Sequence, residues 1–283
     1  MADPAPLTPQ ALREWPLPRP EGGKDQRGAV LVVGGARATP GASVLAGVAA
    51  LRVGAGRLTL AVTSSVAVAV AVATPEAGVL ALPESPTGSP TGPGDGFADE
   101  LGRADAVLVG PGLDEPDGTH ALVGAVLGGL EPGVPVVLDA FALGVLPRLR
   151  EQVRARGGTV VLTPNGAEAR RLVDDDDEPT AQGIAARYGA VVALDGAVAA
   201  PDGRAWTSAS GTTGLGTSGS GDVLAGAVAG LLAAGAAPEQ AACWAVALHG
   251  TAGDRLAARV GQVGYLAREL VDELPAVLTE LRT

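Results

Sequence analysis

GTTGLGTSGSGDVLAGAVAGLLAAGAA, residues 211 to 237, decides how this chain is read. A loop rich in glycine and hydroxyl side chains runs into GSGD at Gly219 to Asp222, and an uncharged, alanine-rich run then continues to Pro238. The pattern predicts a loop feeding a buried helix. Glycines let backbone amides turn towards a ligand, and the first turn of a helix adds unpaired N–H groups and the positive end of its dipole. Phosphate is the natural guest of such a junction. Asp222 stands at its mouth, where a carboxylate beside an anion is repulsive unless a proton or a cation is shared between them. Taken alone, the stretch reads equally as a base acting on a hydroxyl beside bound phosphate and as an acidic cap on a buried helix.

Upstream, apolar runs at 29–33, 57–62, 105–109, 135–138, 159–162 and 190–194 alternate with longer helix-like segments. This is the signature of βαβ repetition and a mostly parallel sheet. The runs are apolar throughout rather than alternating, as strands covered by helices on both faces must be. The expected fold is therefore α/β, a doubly wound, mostly parallel sheet flanked by helices. Short pieces AVAA and RAWT flank PDGR within 197–207 and predict a hairpin, and the chain from Pro238 onward predicts two helices. ESPTGSPTGPGDG at 84–96 reads as an exposed excursion, and DDDDE at 174–178 as a solvated loop between helices. Neither breaks the βαβ spacing, so residues 1–283 are read as one domain, with 1–27 a leader packed upon it and a short helix opening at Thr8.

The balance of 20 basic against 31 acidic residues, a formal charge of −11, argues against nucleic acid and anionic membrane surfaces as partners. An anionic ligand must then be held locally. Cys243 is the single cysteine, which excludes an internal disulfide, and the acidic, proline-rich start has no signal-peptide pattern; a cytoplasmic location is expected. Residues 223–237 are too short and too glycine-rich for a membrane span.

Other segments end strands where open α/β sheets bind ligands. VVGGARATPGASVLAGVAALRVGAG at 32–56 puts Gly34 and Gly35 at a strand end and a helix after Pro40, without the spacing of a dinucleotide fingerprint or a P-loop. GPGLD at 110–114 and LDAFAL at 138–143 bring Gly112 and Asp139 to the same crevice. In LTPNGAEARRL, residues 162–172, Asn165 and Glu168 can both point to one site, with Glu168 holding a water on a metal. The residues favour a plainer reading, in which Asn165 caps a helix and Glu168 completes a capping box. His249 on an apolar helix reads as a hydrogen-bonded core histidine and His120 as a surface residue. With two histidines and one cysteine far apart, no His or Cys metal cluster is expected, and no GxSxG elbow supports a catalytic triad.

Taken together, these segments resemble the ribokinase-like superfamily and, within it, the ADP/ATP-dependent NAD(P)H-hydrate dehydratases. The similarity runs over residues 27–275 through GAVLVVGGARATPGASVLAGVAALRVGAGRLTLAV, DAVLVGPGL, VVLDAFAL, LTPNGAE, GTTGLGTSGSGDVLAGAVAGLLAAG, ALHGTAGD and GYLARELVDELP. The resemblance implies a lyase of metabolite repair: ADP or ATP phosphorylates the hydroxyl of hydrated NADH or NADPH, and elimination of phosphate restores the reduced cofactor. It implies Asp222 as the catalytic carboxylate, with Thr217, Ser218, Gly219, Ser220, Gly221 and Asp195 around the nucleotide. Ala42, Gly112, Asp139 and Asn165 line the substrate pocket with Asp222, Mg²⁺ shields the phosphates, and Glu168 reaches the metal indirectly. Many bacterial relatives carry an amino-terminal epimerase domain; only a short leader precedes Gly28, so none is expected here and epimerisation is expected from a separate protein. A homo-oligomer is expected.

Four positions depart from the family pattern. Asn165 and Gly166 stand where His and Pro are common, Phe141 where a second Asp is, Asp195 where a Lys is, and Thr212 where an Asn is. The resulting NxxE pattern looks like that of ribokinase-like kinases, which leaves a small-molecule kinase as the alternative and a nucleotide-binding protein without catalysis as a third reading.

Overall fold

All six apolar runs become strands of a single sheet. The computed structural model describes residues 3–19 and 22–283. Among them are strands β1 (Ala5–Pro6), β2 (Ala29–Val33), β3 (Arg57–Thr63), β4 (Gly78–Leu82), β5 (Ala106–Val109), β6 (Val136–Leu138), β7 (Val160–Leu162), β8 (Val191–Leu194), β9 (Ala197–Ala199) and β10 (Ala205–Thr207). They lie in the order β1-β10-β9-β8-β7-β6-β5-β2-β3-β4. Strands β2 to β8 are mutually parallel, and β9 turns back antiparallel between β8 and β10. The helices are α1 (Pro9–Glu14), α2 (Pro40–Arg52), α3 (Ala67–Ala73), α4 (Phe97–Leu101), α5 (Pro116–Gly129), α6 (Phe141–Val145), α7 (Arg150–Ala155), α8 (Gly166–Arg171), α9 (Ala181–Tyr188), α10 (Ser220–Ala233), α11 (Pro238–Arg259) and α12 (Ala267–Arg282).

This is a doubly wound α/β arrangement, with one apolar core on each face. Alternate side chains of the strands pack against α2, α10, α11 and α12 on one side, around buried Trp244, and against α5, α7 and α9 on the other. After edge strand β1, the chain enters mid-sheet at β2, grows outward to β4, then returns to β5 on the other flank of β2. That reversal opens a crevice between the carboxyl ends of β2 and β5, the place where ligands bind open α/β sheets. The two loops there are tied together: the Gly35 amide donates to Pro111 O (2.9 Å), the Ala36 amide to Gly112 O (2.8 Å) and Ser43 Oγ to Pro111 O (3.0 Å).

Helices α2 and α10 touch through their backbones. Gly226 and Gly230, one turn apart on α10, face the carbonyl oxygens of Ala46 and Ala50 on α2 so closely that neither has room for a β-carbon. This contact sets the amino ends of both helices side by side at the crevice.

At the far edge, β1 pairs with β10, Trp15 stacks on Trp206 at 5.7 Å, and Gln240 and Trp244 donate to Trp15 O. The hairpin of β9 and β10 and the two helices after Pro238 form as expected. Strand β4, a half-buried edge strand, has no counterpart in the sequence reading, because its apolar GVLAL follows closely on the apolar AVAVAVA of α3. The segment 84–96 is only in part the exposed excursion its composition suggests. Gly88, Ser89 and Pro90 are buried, and Glu84 holds the segment by accepting from Arg37 (2.8 Å) and Ser65 Oγ (2.8 Å), bonds that keep its carboxyl below the usual range. The acidic run 174–178 does join α8 to α9, with Asp174 held by both guanidinium nitrogens of Arg187 at 2.7 and 2.8 Å.

Candidate active site

Helix α10 begins after Gly219, whose φ of 87° lies in the left-handed region that glycine enters freely. No side chain caps the helix. Asp222 is therefore not a cap: it sits in the third helical position, and among the described residues the amides of Gly221 and Asp222 have no partner. A cavity of about 500 Å³ opens onto this turn, lined among others by Thr163, Asp195, Thr212, Ser220, Gly221 and His249. That volume suits a nucleotide-sized ligand. A larger cleft of about 730 Å³ lies at the opposite, amino ends of β2 to β5. Several of its charges are paired with one another, as Arg103 is with Glu100 (2.7 Å) and Arg57 with Asp25, Asp105 accepts from the Ala29 amide (2.8 Å), and the cleft lies at the wrong end of the strands for an open α/β sheet.

Of the residues expected around phosphate, Ser220 and Gly221 line the cavity and Gly219 supplies the turn before them. Thr217 and Ser218 do not line it; Thr217 O accepts the Ser220 amide (3.2 Å) and so ends the preceding loop. Asp195 is on the cavity wall for a structural reason as well. It forms with Gly196 a two-residue connection between β8 and β9, with φ values of 47° and 80°, a type I′ turn that Asp tolerates.

Of the substrate-side residues, Ala42, Gly112 and Asp139 gather at the crevice instead, whereas Asn165 lines the cavity. Ala42, in the first turn of α2, lies beside Gly112, whose carbonyl accepts from Thr39 Oγ1 at 3.0 Å. Asp139 ends β6, is 4% exposed, and accepts a 2.8 Å hydrogen bond from Thr163 Oγ1. Asn165 and Glu168 form the capping box of α8: Asn165 Oδ1 accepts from the amides of Ala167 (2.9 Å) and Glu168 (3.0 Å), and Glu168 Oε2 accepts from the Asn165 amide (2.9 Å). The NxxE spacing is thus accounted for by helix initiation, which is the plainer of its two readings.

Three carboxylates interact here. Burial, reinforced by the charge of Glu168, raises the Asp222 pKa to about 6. Burial also raises Asp139 to about 7, with Asp222 and Glu168 adding repulsion that the Thr163 hydrogen bond opposes. Asp222 adjoins Gly221 on the cavity side and its charge acts on Asp139 on the crevice side, so it falls where the two spaces meet. At neutral pH it is mostly ionised and able to take a proton.

A buried acid with a raised pKa keeps its proton in the folded protein after the unfolded chain has lost it. Stability therefore falls as pH rises from the ordinary Asp value of 3.8 towards about 7. Asp139→Asn cannot ionise. Its melting temperature is expected to match that of the parent near pH 4 and to exceed it near pH 8, a gap of a few kcal/mol at about 1.4 kcal/mol per pKa unit. Parallel melting curves across that range would refute the assignment.

Sequence reasoning missed the wall formed by Ser208, Ala209, Ser210, Leu215, Leu224 and Val246. His249 is buried and hydrogen-bonded as expected, to Ser220, but it also faces the cavity. The signal was present in HGTAGD: His249, Gly250, Gly253 and Asp254 share one helix face, and all four meet the 210–220 loop.

The family model described as NAD(P)H-hydrate dehydratase matches residues 30–276. An ADP-dependent (S)-NAD(P)H-hydrate dehydratase of Xanthomonas campestris is 44% identical over 97% of this chain and 96% of its own length. A bifunctional NAD(P)H-hydrate repair enzyme of Moorella thermoacetica is 38% identical over 94% of this chain, which spans 52% of that relative. The crystal structure of the ADP/ATP-dependent NAD(P)H-hydrate dehydratase of Bacillus subtilis, co-crystallised with ATP and Mg²⁺, is similar with a TM-score of 0.79 at 26% identity, covering 99% of this chain and all of that one.

Proposed function

The chain belongs to the NAD(P)H-hydrate dehydratase family, and from that membership we propose how its residues carry out the nucleotide-dependent dehydration of NAD(P)H hydrate to NAD(P)H. The observation that carries the reading is the uncapped start of α10, where free amides open into a nucleotide-sized cavity beside a carboxylate with a raised pKa. ADP or ATP lies in the cavity with its phosphates on the amides of Gly221 and Asp222, in the positive field of the helix end. Asp195 is on the wall with a carboxylate, suited to accept from ribose hydroxyls. The hydrated nicotinamide occupies the crevice among Ala42, Gly112 and Asp139. Asp222 takes the proton of its hydroxyl as the oxygen attacks the terminal phosphorus and the bond to the bridging oxygen breaks; the C–O bond to the attached phosphate then breaks with loss of a proton from the adjacent ring carbon, releasing phosphate and completing the dehydration.

The residues fit Mg²⁺ as a companion of the nucleotide. Among the described residues no group of three or more His, Cys, Asp or Glu side chains forms a metal cage, while Glu168 commits only Oε2 to its capping box. Magnesium keeps several waters and binds through substrate phosphates, so Glu168 would reach it through water, and the ion would shield phosphate charge in this acidic protein.

Incubation with hydrated NADPH, Mg²⁺ and either ADP or ATP is expected to regenerate reduced-nicotinamide absorbance; no recovery with either donor would refute the reading. A kinase reading is not better supported, since the matching family model and the Xanthomonas campestris relative named above are dehydratases. A sharper check uses Gly221→Ala. A β-carbon there meets nothing within 4 Å, so stability is expected to be unchanged or slightly raised, while the methyl group at the cavity rim weakens ADP binding by about 10-fold. Unchanged affinity in calorimetry would move the phosphates elsewhere.

The proposal includes a cytoplasmic homo-oligomer. No helix among the described residues is long and apolar enough to cross a membrane. Val68 and Val72 on α3 are 77% and 78% exposed beside edge strand β4, an apolar surface suited to burial against a second copy.

A further inference from the structure

The environment of His249 fixes its protonation. The ring is 8% exposed, and its Nε2 stands 2.9 Å from Ser220 Oγ and 3.0 Å from Ser220 O. A carbonyl oxygen can only accept, so a bare Nε2 lone pair at that distance would face another lone pair. The proton is therefore on Nε2 and is shared by the two oxygens of Ser220. Burial pushes the ring pKa down to about 4, so the imidazole is neutral at physiological pH. The Ser220 hydroxyl oxygen is thereby used as an acceptor, and its own proton is left to be donated elsewhere.

That proton has an evident destination. Ser220 is the first residue of α10, is 2% exposed, and lines the cavity beside Gly221, whose amide is free. The rest of α11 reinforces the arrangement. Gly250 abuts Ser210, Gly253 abuts Leu215, and the Asp254 carboxylate accepts the Gly211 amide with both oxygens at 3.1 Å. One helix face thus holds both ends of the 210–220 loop from behind.

We infer that His249 is a positioning residue that turns the Ser220 hydroxyl into a hydrogen-bond donor for a phosphate oxygen of the bound nucleotide, adding a side-chain donor to the backbone cradle. The inference rests on the nucleotide site proposed above and deepens it. It explains why a neutral histidine is buried at the start of a phosphate-binding helix, where a charged one would serve electrostatics better: the ring selects which way the serine proton points.

Titration calorimetry of ADP with Mg²⁺ tests it without recourse to turnover. Ser220→Ala is expected to weaken ADP about 10-fold, as loss of one hydrogen bond to a charged oxygen does. His249→Ala is expected to do the same, and the double variant to be no worse than about either single, because both remove one donor. His249→Gln, whose amide can donate to the same two oxygens, is expected to stay within about 3-fold of the parent, a rescue that a merely space-filling role does not predict. Nitrogen NMR of the unaltered protein is expected to show the Nε2-protonated tautomer. Undiminished ADP affinity in Ser220→Ala, additive losses in the double variant, or an Nδ1-protonated ring would each overturn the inference; the first and last stand even if His249→Ala does not fold. Failure of the unaltered protein to bind ADP would instead remove the nucleotide site, and the inference with it.

Discussion

Asp222→Asn is expected to lower turnover by about 10²- to 10⁴-fold while ADP affinity stays within a few-fold of the parent or improves. Asparagine keeps the shape of the side chain and leaves the backbone amides of Gly221 and Asp222 where they are, so the phosphate cradle survives. What is lost is the ability to accept a proton. The wild-type carboxyl, raised to about 6 by burial and by Glu168, is ionised at neutral pH, so kcat/KM is expected to climb as pH passes through about 6 and then level. The variant should lose that ascending limb along with its rate. Removing a negative charge beside bound phosphate also relieves repulsion, which is why binding is not expected to suffer. Steady-state kinetics on hydrated NADPH together with ADP calorimetry decide the matter. Unchanged turnover would reduce Asp222 to a bystander in the first turn; a large loss of ADP affinity would show that the carboxylate organises the cradle rather than the chemistry.

The same three carboxylates explain how a protein with a formal charge of −11 can host an anionic substrate beside an anionic donor. Asp139, raised to about 7 by burial and by its neighbours, is about half protonated at neutrality and so contributes less charge to the crevice than an ordinary carboxylate, while Thr163 holds it in place. Asp222 carries the negative charge that the reaction needs. The two aspartates thus differ in protonation because they differ in burial, which is the usual way one site obtains separate roles from chemically identical groups.

The parts of this fold that were legible in the sequence are those set by local physics. Central parallel strands are apolar on both faces, so each announced itself as a run, and Gly219 to Asp222 announced a helix entry because only glycine turns a backbone that way before an apolar helix. The capping box of Asn165 and Glu168 was legible for the same reason: it is a contact between residues three apart. Strand β4 was not, although GVLAL is apolar, since it follows the equally apolar AVAVAVA of α3 after a short turn and the two runs blend. The segment 84–96 misled in part, because its proline, glycine and serine content describes backbone shape, whereas its burial is decided by Arg37 and Glu84, which lie 47 residues apart. The cavity wall at Ser208 to Ser210 is composed of small polar residues with no periodicity, and only its closure by α11 makes it a wall.

Gly226→Ala is expected to cost about 3 kcal/mol or more, a fall in melting temperature of roughly 10 °C for a chain of this size. The change would ordinarily favour a helix by about 1 kcal/mol, so the sign itself is diagnostic. At Gly226 a β-carbon would collide with the carbonyl oxygen of Ala46, a backbone atom that cannot rotate aside, and Gly230 one turn later repeats the contact with Ala50. Helix α10 must then lift from α2 along this seam. The two helices bring opposite sides of the site together, Ala42 on the first turn of α2 and Gly221 and Asp222 on the first turn of α10. Separation by even a fraction of an ångström therefore moves the proton acceptor relative to the substrate side, and turnover is expected to fall well beyond what the unfolded fraction explains. Gly128→Ala on α5, where a β-carbon meets nothing within 4 Å, is the matched control and is expected to be neutral or slightly stabilising. Thermal melts of both variants, with turnover measured well below the transition, separate the two effects: a Gly226→Ala protein that melts like the parent would show that the helices have room to spare, and the close backbone contact would no longer account for how the site is held together.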